Sequence, residues 1–140
     1  MFSGKPIPAI GVSIGIERVF AILEEKREAS LRATESQVLV AQVGKGLAAE
    51  RYRVLRELWA AGFKAETLYT ENPKPNRQLE FALENGIPLV LFVGESEVAQ
   101  GVVKIKSLNK KEEYVVTREE LRDGTRIRAI IEDGNTVLLP

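Results

Sequence analysis

Residues 37–43 read QVLVAQV and residues 88–93 read PLVLFV, and these two short runs decide how the 140-residue chain folds. Each is too short for a helix and too continuously apolar to have a wet face, so each is expected to be a strand buried on both sides. Strands of that kind pair in parallel, and parallel pairs are joined by crossovers that carry helices. The sequence between them fits. Residues 45–61 place Leu47, Tyr52, Leu55, Leu58 and Trp59 on one face of an amphipathic helix, and Gly62 supplies a stop. A second strand is expected at 64–69, then a loop with two prolines at 70–75, then a short helix at 76–84 stopped by Asn85 and Gly86. The run at 88–93 belongs at the centre of the sheet, with Gly94 opening a turn.

Further out the pattern changes. Residues 101–108 (GVVKIKSL) and 113–117 alternate apolar and polar on either side of Asn109-Lys110, which predicts an antiparallel hairpin with one solvated face. Residues 118–128 read as a final helix, and 137–139 are too few to assign. The expected fold is therefore α/β, a mixed sheet of about five strands flanked by helices. Upstream, Gly4, Pro6 and Pro8 mark an irregular or briefly extended start. Ile16, Val19, Phe20 and Leu23 then recur at helical spacing, and the helix continues as a charged end over 24–32. This leading part is too small to form its own core. The expected division is a strand-helix remnant of something larger at 1–32 and one complete domain at 33–140.

Composition narrows the chemistry. With 44% hydrophobic and 29% charged residues the chain is an ordinary globular protein, and no apolar run approaches the ~20 residues of a membrane span. There is no cysteine and no histidine. Disulfides, thiol nucleophiles and imidazole-based catalysis are excluded, and no metal site is expected, since zinc would need carboxylates alone. A cytoplasmic location, or an organellar form, is the expectation. The net charge of zero argues against a general DNA or duplex binder. Residues 101–111 nonetheless hold four lysines and no acid, a local basic surface suited to a small, specific target.

Residues 11–18 (GVSIGIER) admit several readings. G-x-S-x-G formally matches the nucleophile elbow of α/β-hydrolases, but no histidine exists to serve as base. The G-x-x-x-G spacing is not that of a dinucleotide loop, and no adequate strand precedes it. An ordinary strand-turn-helix with a solvated Glu-Arg pair is the bland alternative. The remaining reading is the third signature motif of class II aminoacyl-tRNA synthetases. In it Gly11, Ser13 and Gly15 alternate with apolar residues on a strand that admits an adenine ring closely, and Arg18 follows at the helix start, within reach of a triphosphate.

The stretch MFSGKPIPAIGVSIGIERVFAILEE closely resembles the end of the catalytic domain in eukaryotic-type histidyl-tRNA synthetases. The resemblance continues through TESQVLVAQVGKGLAAERYRVLRELWAAGFKAETLY and NPKPNRQLEFALENGIPLVLFVGE to GVVKIKSLNKKEEYVVTREEL, and weakens beyond Asp123. It implies ATP- and magnesium-dependent attachment of histidine to its tRNA, homodimerisation, and a domain that reads the anticodon. Of the aminoacylation site only Arg18 and its small-residue strand (Gly11, Ser13, Gly15) are present. The chain alone is therefore expected to be inactive, monomeric and without a cofactor of its own.

Unpaired bases are read by stacking and by hydrogen bonds to their edges. The candidates for that work are Tyr69, Asn72, Asn76, Gln78, Phe92, Glu95, Lys104 and Lys106, at strand ends, at a helix start and on one strand face, with Lys74, Arg77, Gly94 and Arg118 nearby. Tyr69 and Phe92 also fit a core, Asn76 and Gln78 a helix cap, the lysines a solvated face. The expected partner is the anticodon loop of a histidine tRNA, with no membrane or DNA involved. A synthetase-derived module that binds protein instead of tRNA is the competing reading.

Overall fold

The computed structural model describes residue 4, residues 6–27, residue 32 and residues 34–135. The backbone separates into two units, Met1–Leu31 and Arg32–Pro140.

In the first unit residues 6–15 run without hydrogen-bonded pairing and lead into α1 (Ile16–Arg27). The strand expected across Gly11, Ser13 and Gly15 is therefore not formed. A strand needs a neighbouring ladder to satisfy its N–H and C=O groups, and among the described residues none pairs with these. The apolar side chains of this unit, Ile10, Val12, Ile14 and Phe20 among them, are exposed. The helix end expected at 28–31 lies outside the described residues.

The second unit carries β1 (Val38–Val43), α2 (Ala48–Ala60), β2 (Ala65–Thr67), α3 (Pro75–Glu84), β3 (Leu89–Gly94), α4 (Glu95–Gln100), β4 (Val102–Ser107), β5 (Glu113–Thr117), α5 (Arg118–Asp123) and α6 (Thr125–Asn135). One five-stranded sheet has the order β2-β1-β3-β4-β5. The two all-apolar runs pair in parallel, Val38 opposite Leu89 through Val43 opposite Gly94, and β3 is the middle strand. β4 and β5 add antiparallel, so the sheet is mixed.

Chain direction places the helices. β1 to β2 steps one way across the sheet and β2 to β3 steps back past β1, so right-handed crossovers put α2 and α3 on opposite faces. Val54, Leu55 and Leu58 of α2, with Leu121 of α5 and Ile127 of α6, close the main core over Val38, Val40, Leu91, Val103 and Ile105. Ala82, Leu79 and Phe81 of α3 close a smaller cluster over Leu39, Ala41 and Val90.

Two details differ from the sequence reading. Residues 118–128 are not one helix: Gly124 (φ 76°) breaks it, and a Cβ there would come within 3.0 Å of the Phe63 ring. Thr117 and Glu120 form a capping box that starts α5 (Glu120 N–H to Thr117 Oγ1, 3.2 Å; Thr117 N–H to Glu120 Oε2, 2.9 Å). After the turn expected to open at Gly94, residues 95–100 form a helix, α4, that the sequence reading left unassigned. Among the described residues no helix is long and apolar enough to cross a membrane.

Candidate nucleic-acid interface

Helix α3 covers only part of its face of the sheet. The β3–β4 register sets Phe92 opposite Lys104 and Val90 opposite Lys106, which places all four side chains on that face. Val90 lies under α3, whereas Val43 and Val115, on the same face by strand alternation, remain about half exposed. The uncovered part is a groove of about 370 Å³ with Val43 and half-buried Phe92 in its floor, and Lys104, Lys106 and Glu113 along it. Ser96 and Glu97 of α4 wall its end.

The polar groups there are arranged around Glu97. Its carboxylate takes a salt bridge from Lys104 at 2.6 Å and a hydrogen bond donated by Ser96 Oγ at 2.7 Å. Those bonds, Lys104 first, hold its pKa down to about 2, and the same contact raises that of Lys104. Gly94 makes the seat: a Cβ at that position would run into the Glu97 carboxylate. Lys106 faces Glu113 at 3.8 Å, a looser and exposed pair. The groove thus offers an apolar floor, an ionised acceptor and two ammonium groups.

Other expected residues fall outside it. Tyr69 is 94% exposed, so its ring is no part of the core. Asn76 is exposed in the first turn of α3 and does not cap it; Lys74 is the N-cap and Pro75 occupies the first turn. Glu95 is exposed at the start of α4, away from the groove lining. Asn72 is tied to the backbone, its Oδ1 accepting from Gly46 N–H at 3.0 Å and from Gln42 Nε2 at 3.4 Å.

Gln78 is fully buried and does not face solvent. β2 ends at Thr67, and beyond it the Gln78 carboxamide takes the place of a strand. Its Oε1 accepts from Gln42 N–H at 2.9 Å, while its Nε2 donates to Gln42 C=O at 2.8 Å and Pro73 C=O at 3.2 Å. That is a structural brace with nothing left over for a base. Arg118 is likewise redirected. It grips Glu57 with two bonds of 2.9 Å and Glu50 with one of 3.1 Å, across the helices of the opposite face. Burial opposes ionisation of Glu50, but Arg118 and Arg53 outweigh it and keep the carboxyl below its usual range.

The sequence reading missed Ser96 and Glu97, because it placed a turn at Gly94 and assigned no element before residue 101. The recoverable signal was Gly101, a helix stop shortly after Glu95 and Glu97, two acids that suit a first turn.

The second unit is thus a five-stranded mixed sheet flanked by helices, with one face left partly open over lysines and an aromatic floor. Residues 37–127 match the family model described as anticodon binding domain, and the chain belongs to that family. Within it the chain is similar to histidine–tRNA ligases. It is 50% identical over 128 residues to one from Danio rerio, covering 89% of this chain and 25% of that protein. It is 44% identical over 119 residues to a mitochondrial one from Homo sapiens, covering 83% of this chain and 24% of that protein. The crystal structure of histidyl-tRNA synthetase from Nostoc sp. PCC 7120 superposes with a TM-score of 0.71 at 24% identity, over 83% of this chain and 28% of that one, which supports the fold. The chain therefore spans about a quarter of the length of the relatives it matches. Both cytoplasmic and mitochondrial forms occur among them.

Proposed function

We propose that the groove between α4 and the open part of β3–β4 takes unpaired nucleotides of a tRNA anticodon loop, and that the tRNA is the histidine acceptor. The observation that carries this reading is Glu97 seated against Lys104 beside the Phe92 floor. An ionised carboxylate accepts from base amino groups and rejects base carbonyls. An aromatic floor stacks a base whatever its identity, and lysines follow the phosphates. Tyr69, exposed on the β2–α3 loop, is a second stacking surface, with Asn76 exposed at the start of α3 and Glu95 at the start of α4.

In the longer protein this domain would hold the tRNA while the catalytic part joins histidine to it with ATP and magnesium, as a homodimer. Residues 1–32 are then the end of that catalytic part and 33–140 the anticodon module. Gly11, Ser13, Gly15 and Arg18 would face ATP, on a strand completed by catalytic-domain neighbours, with Arg18 in the first turn of α1. By itself the chain binds tRNA and does not activate histidine. Its place of work on this reading is the cytoplasm or, in an organellar form, the mitochondria, as the names of relatives support.

The test is titration of the 140-residue chain with a histidine-tRNA anticodon stem-loop and with the same stem bearing a scrambled loop. Preferential binding to the native loop, falling with salt, is expected. Phe92→Ala should cost about 1–3 kcal/mol of that binding. Equal affinity for both loops would defeat the reading.

A further inference from the structure

The opposite face of the sheet from the proposed nucleotide groove carries a second surface, on α2 and α5. On α2, Tyr52, Arg56 and Trp59 stand at steps of four and three residues and so form one stripe. Tyr52 is 44% exposed and Trp59 57%. Arg56 is exposed, with no hydrogen bond or ion pair to any described residue. Beside the stripe, α2 and α5 bound a groove of about 480 Å³ lined by Arg53, Arg56, Glu57, Ala60 and Arg122.

The charges there do not balance. Glu57 is the only acid lining the groove, and Arg118 already holds both its oxygens at 2.9 Å. Arg122 adds only a third contact to the same carboxylate, at 3.3 Å. Arg53 is matched by Glu50 at 2.6 Å. That leaves Arg56 and Arg122 as surplus positive charge beside two half-exposed aromatic rings. The cation type is also selective. Helices α2, α5 and α6 contain arginine and no lysine, whereas both cations of β4 are lysines. A guanidinium is more weakly hydrated than an ammonium, binds carboxylates through a planar fork and stacks on aromatic rings. Tryptophan, tyrosine and arginine are the residues in which protein–protein binding energy concentrates.

We propose that the outer stripe of α2, together with Arg122 of α5, docks an acidic segment of protein. Its carboxylates would meet the forks of Arg56 and Arg122, and an apolar side chain would seat between Tyr52 and Trp59. Two observations favour protein over RNA here. The groove already holds a carboxylate, Glu57, between arginine forks. The surface also lies over the sheet face opposite the nucleotide groove, so one loop cannot engage both.

Trp59 is the only tryptophan, so its emission reports this surface directly. The chain is titrated with a synthetic peptide of glutamate pairs separated by leucines, with inorganic phosphate, and with the anticodon stem-loop. The peptide should change the emission saturably, and salt should weaken the effect. The R56Q/R122Q variant, changed only at exposed side chains and checked by circular dichroism, should bind the peptide about tenfold more weakly, a loss of the size expected for an interface anchor. Its stem-loop affinity should match that of the unmodified chain. No saturable response to the peptide would overturn the proposal, as would equal peptide binding by the variant. Phosphate alone reproducing the response would reduce the surface to a simple anion site. Loss of stem-loop binding in the variant would make it an RNA surface instead.

Discussion

The two faces of one sheet are finished in opposite ways. Over Val38, Val40, Leu91 and Ile105 lie three helices, and the seam between α2 and α5 is locked by Arg118 against Glu57 and Glu50. Over Leu39, Ala41 and Val90 lies α3 alone, and the sheet beyond it is left to solvent around Phe92, Lys104 and Lys106. Both faces are built from the same strands, residue by alternate residue. On the proposed reading, stability and recognition fall on separate sides, so that the open groove can keep polar, partly solvated groups without weakening the main core.

That division can be broken by substitution. The largest effect is expected on the closed face: Leu58, fully buried on the inner side of α2, should cost about 2–5 kcal/mol when replaced by Ala. Urea unfolding measures it, and a loss below about 1 kcal/mol would mean that this core is not what holds the domain. Next comes Gln78→Ala, which strands the Gln42 N–H and C=O and should cost on the order of 1–3 kcal/mol, while the folded fraction keeps its RNA affinity. Undiminished stability with lost affinity would return Gln78 to the reading site.

The smallest change in stability belongs to the open face, where Gly94→Ala should push Glu97 away from Lys104. Carbon-detected titration should then show the Glu97 midpoint rising from about 2 toward its ordinary 4.5. A group with a lowered pKa adds stability that is complete above its unfolded value and lost as pH falls through the folded one. Any stability gap between the two proteins should therefore be full above about pH 4.5 and close toward pH 2. An unmoved midpoint would show that Glu97 does not need the space at Gly94.

The sheet was legible because its signal is local. QVLVAQV and PLVLFV are runs with no polar alternative, and GVVKIKSL alternates so plainly that its wet face could be named with Lys104 and Lys106 on it. The site was legible only in part. Phe92 and the two lysines come together in the groove, and Tyr69 is free as a platform would be. Gln78 was misplaced because a glutamine in a first helical turn reads the same whether it faces water or completes the ladder where β2 runs out. Arg118 was misplaced because its partners, Glu57 and Glu50, lie 61 and 68 residues away. Glu97 was overlooked because a six-residue helix carries less than two turns of periodicity.

By itself, then, the order of residues settled the strands, most of the helices, the absence of imidazole and thiol chemistry, and the kinship with synthetases, since each rests on neighbours or on composition. Which cations are matched, which amide is used up in bracing and which part of the sheet stays uncovered depended on groups far apart in the chain. Only the packed structure brings those groups within hydrogen-bonding distance. A charge or an amide does different work according to whether its partner is water or protein.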